Sequence, residues 1–170
     1  MNAYAHVVHP FPPLFDENAR TLILGSLPSV KSREQKFFYG HPQNRFWPLL
    51  AALFHEPAPA TVEEKAALAR RHGIALWDVI YSCEIVGSGD SSIKNVVPPD
   101  LSVIFRAAKI ERVFCNGRTS GLYYAKYHEP RLGVPAVTLP STSPANAAWS
   151  LALLTERWRD ALPDPQNPLF

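Results

Sequence analysis

The sequence has 170 residues, of which 46% are hydrophobic and 19% are charged. This composition excludes a disordered chain, and the length fits one domain with a sizeable core, so we expect a single domain over residues 1–170. The net charge of +2 permits a nucleic-acid partner but does not require one.

Several classes of protein are disfavoured by simple patterns. No apolar run reaches the roughly 18 residues that a membrane-spanning helix needs, so we expect no membrane partner. The first residues lack a basic segment followed by an apolar core, which predicts a cytoplasmic protein without a secretory signal. Cys83 and Cys115 are too few for a four-cysteine metal site. The histidines are scattered and no nucleotide-binding glycine motif occurs, so we expect no metal and no cofactor.

The first half of the chain begins with an arm and a strand. Residues 1–20 are rich in proline and aromatic side chains, which predicts an irregular N-terminal arm. Residues 20–25 are a continuous apolar run closed by glycine, a pattern typical of a buried parallel strand. A helix is predicted over residues 46–54, where Pro48 is tolerated in the first turn.

A second helix is predicted over residues 61–73. Thr61 and Glu64 match a capping box at its start, and Gly73 matches the residue that follows its end. The apolar run over residues 74–80 predicts a second buried strand.

The second half continues the alternation of strands and helices. We predict a short helix over 99–108, a strand over 112–117, a helix through 127 and a strand over 135–140. Ser143 and Pro144 suit the N-cap and first turn of a last helix that ends near Leu162. The alternation predicts an α/β fold, a three-layer α/β/α sandwich with a central, mostly parallel four-stranded sheet. The loops after its strands would then share one rim, where ligands bind in such folds.

One loop on this rim combines aromatic and amide side chains. Tyr39, beside Phe37 and Phe38, offers a flat surface, and stacking of a base on such a ring is worth about 1–3 kcal/mol. The amide of Asn44 could orient a water or bind a polar substrate edge, although an asparagine in this position could also cap the helix behind it.

A second loop carries three adjacent hydroxyl groups. Ser141, Thr142 and Ser143 stand at the predicted start of the last helix, where free N–H groups and the helix dipole favour an anion. Ser143 would cap the helix, and the other two hydroxyls are surplus to capping. They are candidates for a phosphate contact.

Three motifs together resemble the uracil-DNA glycosylase superfamily. They are G-S-L-P-S at 25–29, Y-G-H-P-Q-N-R-F-W at 39–47 and P-S-T-S-P-A-N at 140–146. The full set more closely resembles the deoxyinosine (hypoxanthine)-DNA glycosylase branch, over about residues 21–162. The resemblance implies a monofunctional DNA glycosylase that flips a deaminated base, most closely hypoxanthine, out of DNA and hydrolyses its N-glycosidic bond to leave an abasic site.

The resemblance also implies roles for individual residues. Asn44 matches the catalytic asparagine, Tyr39 the aromatic that stacks on the flipped base, and Asp78 a side chain that bonds the base edge. The other implied base-binding residues are Gly25, Ser26, Leu27 and Pro28, and those implied to grip phosphate or wedge the gap are Ser141, Thr142, Ser143 and Asn146. Backbone N–H groups of residues 26–29 would stabilise the leaving base anion.

Leu27 departs from part of the superfamily. Mismatch-specific members carry an asparagine there, which handles the attacking water, whereas the hypoxanthine branch is similar to this chain in lacking it. A uracil-DNA glycosylase acting on G/U pairs or single strands therefore stays open as an alternative. So do a DNA-binding module that has lost catalysis and, less favoured, a hydrolase of free nucleosides. Because DNA must wrap one rim of a small domain, we expect a monomer.

Overall fold

The computed structural model describes residues 3–162, and its strands and helices alternate along the chain. The strands of this part are β1 (Ala5–Val8), β2 (Thr21–Gly25), β3 (Ile74–Asp78), β4 (Ser82–Ile85), β5 (Lys94–Val97), β6 (Arg112–Asn116) and β7 (Val137–Leu139). The α-helices are α1 (Val30–Gln35), α2 (Phe46–Leu53), α3 (Val62–Arg71), α4 (Ser102–Ala107), α5 (Arg118–Tyr123), α6 (Glu129–Leu132) and α7 (Leu151–Ala161). A π-helical turn over Tyr124–His128 joins α5 to α6.

The central sheet consists of four parallel strands in the order β3-β2-β6-β7. β2 and β3 are buried over their whole length, as expected for strands covered on both faces. Gly25 pairs with Asp78, so both carboxyl ends reach the same edge of the sheet. The predicted α/β fold with a four-stranded parallel sheet flanked by helices is confirmed.

The helix predicted after residue 61 is confirmed together with its cap. The Thr61 hydroxyl accepts a hydrogen bond from the Glu64 N–H at 3.1 Å. The Glu64 carboxylate in turn accepts from the Ala60 N–H at 3.1 Å. The chain leaves the helix through Gly73, whose φ of +66° is one that glycine adopts without strain.

The N-terminal arm is not irregular throughout, which corrects the expectation for residues 1–20. β1 pairs with β4, and β4 with β5, to form a second, antiparallel sheet. Beyond β1, the His9 N–H donates to the Tyr81 carbonyl at 2.8 Å, and Leu14 forms a bridge with Leu76 of β3. β1 is short and mostly exposed, so it lacks the apolar run that reveals a buried strand.

The last helix begins later than predicted. α7 is capped by Ser150, whose hydroxyl accepts from the Leu153 N–H at 3.2 Å. Residues 143–149 instead form successive tight turns, in which Asn146 N–H donates to the Ser143 carbonyl and Trp149 N–H to the Asn146 carbonyl. The predicted cap at Ser143 is wrong. Both Ser143 and Ser150 suit a helix cap, but contacts with distant residues hold Ser143 in a loop, so the cap is Ser150.

No helix among residues 3–162 is long and apolar enough to cross a membrane.

Candidate active site

A cavity of about 550 Å³ opens beyond the carboxyl ends of the parallel strands. Its size lies within the range of about 300–1,000 Å³ usual for small-molecule sites. The lining residues are Gly25, Ser26, Leu27, Pro28, Ser29, Ser32, Phe38, Tyr39, Asn44, Asp78, Ser88, Asp90, Asn116, Gly117, Arg118, Thr119, Thr138, Leu139, Pro140, Ser141, Thr142, Ser143, Ala145, Asn146 and Trp149. The structure thus brings every residue of the predicted site to one rim.

The amide of Asn44 is fixed in one orientation. Its Oδ1 accepts from the Phe46 N–H at 2.9 Å and from the Thr142 hydroxyl at 2.8 Å. A backbone N–H can only donate, so the atom facing it must be the oxygen. The Nδ2 group has no hydrogen-bond partner within residues 3–162, and Asn44 lines the cavity. Asn44 therefore offers a donor to a bound molecule, while the acceptor capacity of its oxygen is already used.

Thr142 holds Asn44 in place. It is completely buried, its hydroxyl accepts from Asn116 Nδ2 at 3.0 Å, and its N–H donates to Asn116 Oδ1 at 3.0 Å. The hydroxyl has a single hydrogen, and it donates this hydrogen to Asn44 Oδ1. This position argues against the phosphate contact predicted for Thr142 and makes it a support for the amide. Asn116, at the end of β6, was missed from the sequence, although its place at the end of a predicted strand on the shared rim could have indicated it.

Replacing Thr142 with valine is expected to lower the free energy of unfolding by about 1–3 kcal/mol, since Asn116 loses a buried acceptor and Asn44 loses a donor. Urea unfolding measures this difference. Thr142→Ser, which keeps the hydroxyl, is the matched control and should cost less. A valine variant as stable as the wild type would show that these hydrogen bonds do not hold the loop.

Tyr39 is placed to stack on a bound ring with one face only. Its other face packs on Phe46, with 4.1 Å between the ring centroids and 24° between the planes. Its φ of +52° is unusual for a large residue, so the neighbouring contacts must hold it there. These include a bond from the Trp47 indole N–H to the Phe38 carbonyl at 3.0 Å and one from the Gly40 N–H to the Ser32 hydroxyl at 2.8 Å.

The Tyr39 hydroxyl stays neutral. Burial, with a further contribution from the negative charge of Asp78, raises the pKa of this hydroxyl well above its usual range. It has no hydrogen-bond partner within the described residues. A Cβ at Gly25 would come within 3.2 Å of the hydroxyl oxygen and 2.5 Å of Asp78 Oδ1, so only glycine lets these two groups approach the strand end.

Asp78 ends β3 and lines the cavity, although only 5% of its side chain is exposed. Its Oδ2 lies 2.6 Å from Nε2 of His9, whose side chain is completely buried. No local pattern predicts this pair, because 69 positions separate its members. Asp78 is therefore where the base-edge role predicts it to be, with a histidine behind it that was not predicted.

The loop after β2 lines the cavity and carries backbone N–H groups that are unused within residues 3–162. Within residues 3–162, the N–H groups of Ser26, Leu27 and Ser29 donate to no other group, whereas the Ser26 carbonyl accepts from the Ile80 N–H. Such a cluster of N–H groups suits an anion. These backbone donors do not depend on which side chain residue 27 carries.

Arg45 holds the second loop in shape. Its guanidinium donates to the carbonyl groups of four residues of this loop, Thr142, Ser143, Asn146 and Trp149. The distance is 2.7 Å to the Ser143 carbonyl and 3.1 Å to that of Asn146. The planar fork of an arginine can satisfy several carbonyls at once, which explains how residues 143–149 fold without a helix.

The remaining residues of the second loop reach the mouth of the cavity. Ser141 Oγ accepts from the Ser143 N–H at 3.1 Å, and Asn146 Nδ2 donates to the Ser141 carbonyl at 3.0 Å. Ser143 Oγ accepts from the Ala145 N–H at 3.2 Å, within a turn. Because this turn is not a helix start, the anion site expected from a helix dipole is absent there. Arg118, exposed beside Gly117 at the mouth, supplies a cation that was not predicted.

Comparison with known proteins identifies the family. The model of the Uracil DNA glycosylase superfamily matches residues 12–162. The chain belongs to this superfamily. The resemblance seen in its three motifs is thereby confirmed, and the cavity lies among those motifs.

Relatives within the superfamily are close enough to compare over most of their length. The chain is 35% identical over 156 residues to a hypoxanthine DNA glycosylase of Methanosarcina barkeri, covering 89% of this chain and 95% of that one. It is 38% identical over 145 residues to a hypoxanthine DNA glycosylase of Methanosarcina acetivorans, covering 82% and 89%. A solution NMR structure of a proposed uracil DNA glycosylase from M. acetivorans superimposes with a TM-score of 0.74 at 33% identity, covering 88% and 95%.

Proposed function

We propose that this protein is a monofunctional DNA glycosylase that releases hypoxanthine from deoxyinosine in DNA. The observation that carries the proposal is the fixed amide of Asn44, which lines the cavity at the strand ends and whose Nδ2 donor has no hydrogen-bond partner within residues 3–162. Superfamily membership and two relatives named hypoxanthine DNA glycosylase support the reaction and the substrate.

Base release requires that the nucleotide leave the duplex, because the glycosidic bond is inaccessible in the stack. The flipped base would stack on the free face of Tyr39, opposite Phe46. Its edge would meet Asp78 at the end of β3. Stacking and edge recognition together would hold the base while the bond to the sugar breaks.

Cleavage leaves positive charge on the sugar and negative charge on the departing base. The Nδ2 group of Asn44 and the unused N–H groups of Ser26, Leu27 and Ser29 would stabilise that negative charge. Since Asn44 Oδ1 already accepts two hydrogen bonds, the geometry favours contact with the base over activation of water. A water then adds to the cationic sugar carbon and gives up a proton. The released base anion takes up a proton, so an abasic sugar and the neutral base remain.

The residues that line the cavity also explain why we expect no strand cleavage. A glycosylase that also cuts the strand uses an amine nucleophile to form a Schiff base. Among residues 3–162, no lysine lines the cavity. The reaction is therefore hydrolytic and ends at an abasic site.

Contacts with the DNA backbone would come from the mouth of the cavity. Arg118 offers a positive charge there, and Ser141, Ser143 and Asn146 offer polar groups on the second loop. Neutralising phosphate charge makes binding depend on the salt concentration.

We also propose that the protein acts as a monomer in the cytoplasm. Light scattering during gel filtration tests the monomeric state.

The deciding experiment measures base release from oligonucleotides with one deoxyinosine or one deoxyuridine, single- and double-stranded. Alkali converts abasic sites to strand breaks that a gel resolves. We expect release from deoxyinosine, and no strand cleavage before alkali. Preferential release from deoxyuridine would make the protein a uracil-DNA glycosylase. DNA binding without release from either substrate would overturn the enzyme and leave a binding module, and release from free deoxyinosine alone would indicate a nucleoside hydrolase.

A further inference from the structure

We propose that His9 is a positioning residue that keeps Asp78 as a carboxylate with one oxygen turned toward the base, so that the site selects bases with a ring N–H at that edge. This inference rests on the proposed function and extends it to the choice of base. It assigns a role in the site to the N-terminal segment, which the three motifs do not include.

The pair is closed off from water. His9 Nε2 lies 2.6 Å from Asp78 Oδ2, with 0% and 5% of the two side chains exposed. Aromatic rings surround the imidazole, with centroids 4.1 Å away for Trp77 and 4.5 Å away for Phe11. Nδ1 of His9 is buried and has no hydrogen-bond partner among the described residues.

The hydrogen bonds fix where the proton lies. An imidazolium would bury an Nδ1–H donor without an acceptor, at a free-energy cost that the neutral ring avoids. The neutral ring with its proton on Nε2 donates to Asp78 Oδ2 and leaves Nδ1 as an unused acceptor. Asp78 then keeps its negative charge, stabilised by one strong hydrogen bond. The neutral Tyr39 hydroxyl also lies close to Asp78.

One carboxylate oxygen remains for a ligand. Oδ2 is engaged by His9, whereas Oδ1 lies near Gly25 at the strand end, and Asp78 lines the cavity. A carboxylate can only accept hydrogen bonds. Hypoxanthine carries N1–H and uracil carries N3–H, while the same ring nitrogens of adenine and cytosine are acceptors. Deamination of adenine or cytosine thus converts a repelled edge into a bound one, and a buried group left unpaired discriminates strongly against the parent base. Guanine and thymine also carry a ring N–H, so other parts of the cavity must exclude them.

The test compares kcat and KM for a deoxyinosine oligonucleotide between the wild type and variants of His9. His9→Phe keeps an aromatic ring among aromatic neighbours but removes the donor to Asp78. At neutral pH, kcat/KM should fall roughly 10–100-fold, the effect of losing a hydrogen bond to a charged group. His9→Gln, which offers an amide N–H, should recover part of the rate.

A matched control variant separates an effect on the position of Asp78 from an effect on the stability of the fold. His128 is also buried, and its Nε2 donates to the Val79 carbonyl at 2.8 Å, but it does not line the cavity. His128→Phe should lower the melting temperature and leave kcat/KM unchanged. If His9→Phe does not fold, His9→Gln and Asp78→Asn carry the test. Asp78→Asn retains the volume of the side chain but removes the carboxylate, so it should lower kcat/KM for deoxyinosine.

The outcomes separate this inference from the function on which it rests. A folded His9→Phe variant with the wild-type kcat/KM, or an Asp78→Asn variant with unchanged kcat/KM, would overturn the role of the pair. A wild type that releases neither hypoxanthine nor uracil would overturn the proposed function instead. A loss of kcat/KM in a stably folded His9→Phe variant, with recovery in His9→Gln, would establish the pair.

Discussion

Asn44→Ala is expected to reduce the rate of hypoxanthine release by roughly 10²–10³-fold, the usual effect of removing one donor to a developing anion. The variant loses the Nδ2 group of a residue that lines the cavity. It also loses the acceptor for the Phe46 N–H and the Thr142 hydroxyl, so some stability should be lost. Single-turnover base release, measured alongside urea unfolding, separates the two effects.

Asn44→Asp distinguishes the two roles that an asparagine could have here. An aspartate keeps the acceptor oxygens but replaces the donor with negative charge, which would repel a departing base anion. If Asn44 binds the base, the aspartate variant should be no more active than the alanine variant. Activity near that of the wild type would instead indicate that this residue orients water. Gln43→Ala is the control, since Gln43 is an exposed neighbour that does not line the cavity.

Arg45→Ala is expected to have the largest effect on stability, lowering the free energy of unfolding by about 3 kcal/mol. Four carbonyl groups of the second loop lose their charged donor together. Thr142 lies in this loop, so Asn44 should lose its support and base release should slow. Urea unfolding gives the energy, and hydrogen exchange reports on residues 141–149.

Two further variants make this result specific. Arg45→Lys keeps the charge but not the fork, so it should recover only part of the stability. Arg157→Ala removes an exposed arginine of α7 and should change stability by less than about 0.5 kcal/mol. An Arg45→Ala variant with unchanged exchange in the loop would contradict the proposed role of the guanidinium.

The parallel sheet could be predicted from the sequence because its signals are local. β2, β3 and β6 each coincide with a continuous apolar run, and the cap of α3 is contained within a few residues. The common rim then follows from topology, since the carboxyl ends of parallel strands lie at one edge. This reasoning was sufficient to bring Asn44, Tyr39 and Asp78 to one cavity.

What could not be predicted depends on contacts between distant residues. Ser143 and Ser150 both suit a helix cap, and the choice between them follows from Arg45, about 100 positions away. The same is true of the hydrogen bond between Thr142 and Asn44, 98 positions apart, which makes Thr142 a support for the amide. Local patterns carry no information about such pairs, so the role of Thr142 and the presence of His9 were out of reach.

The strand β1 has a practical consequence for shortened versions of this protein. The superfamily match starts at residue 12, after β1 and His9. A protein trimmed to that boundary would keep all three motifs and the parallel sheet yet lack the residue behind Asp78. If His9 positions Asp78 as proposed, the trimmed protein would release the base slowly. That slow release could be misread as evidence that the tested base is not the substrate, so comparisons of base preference need the segment before residue 12 in place.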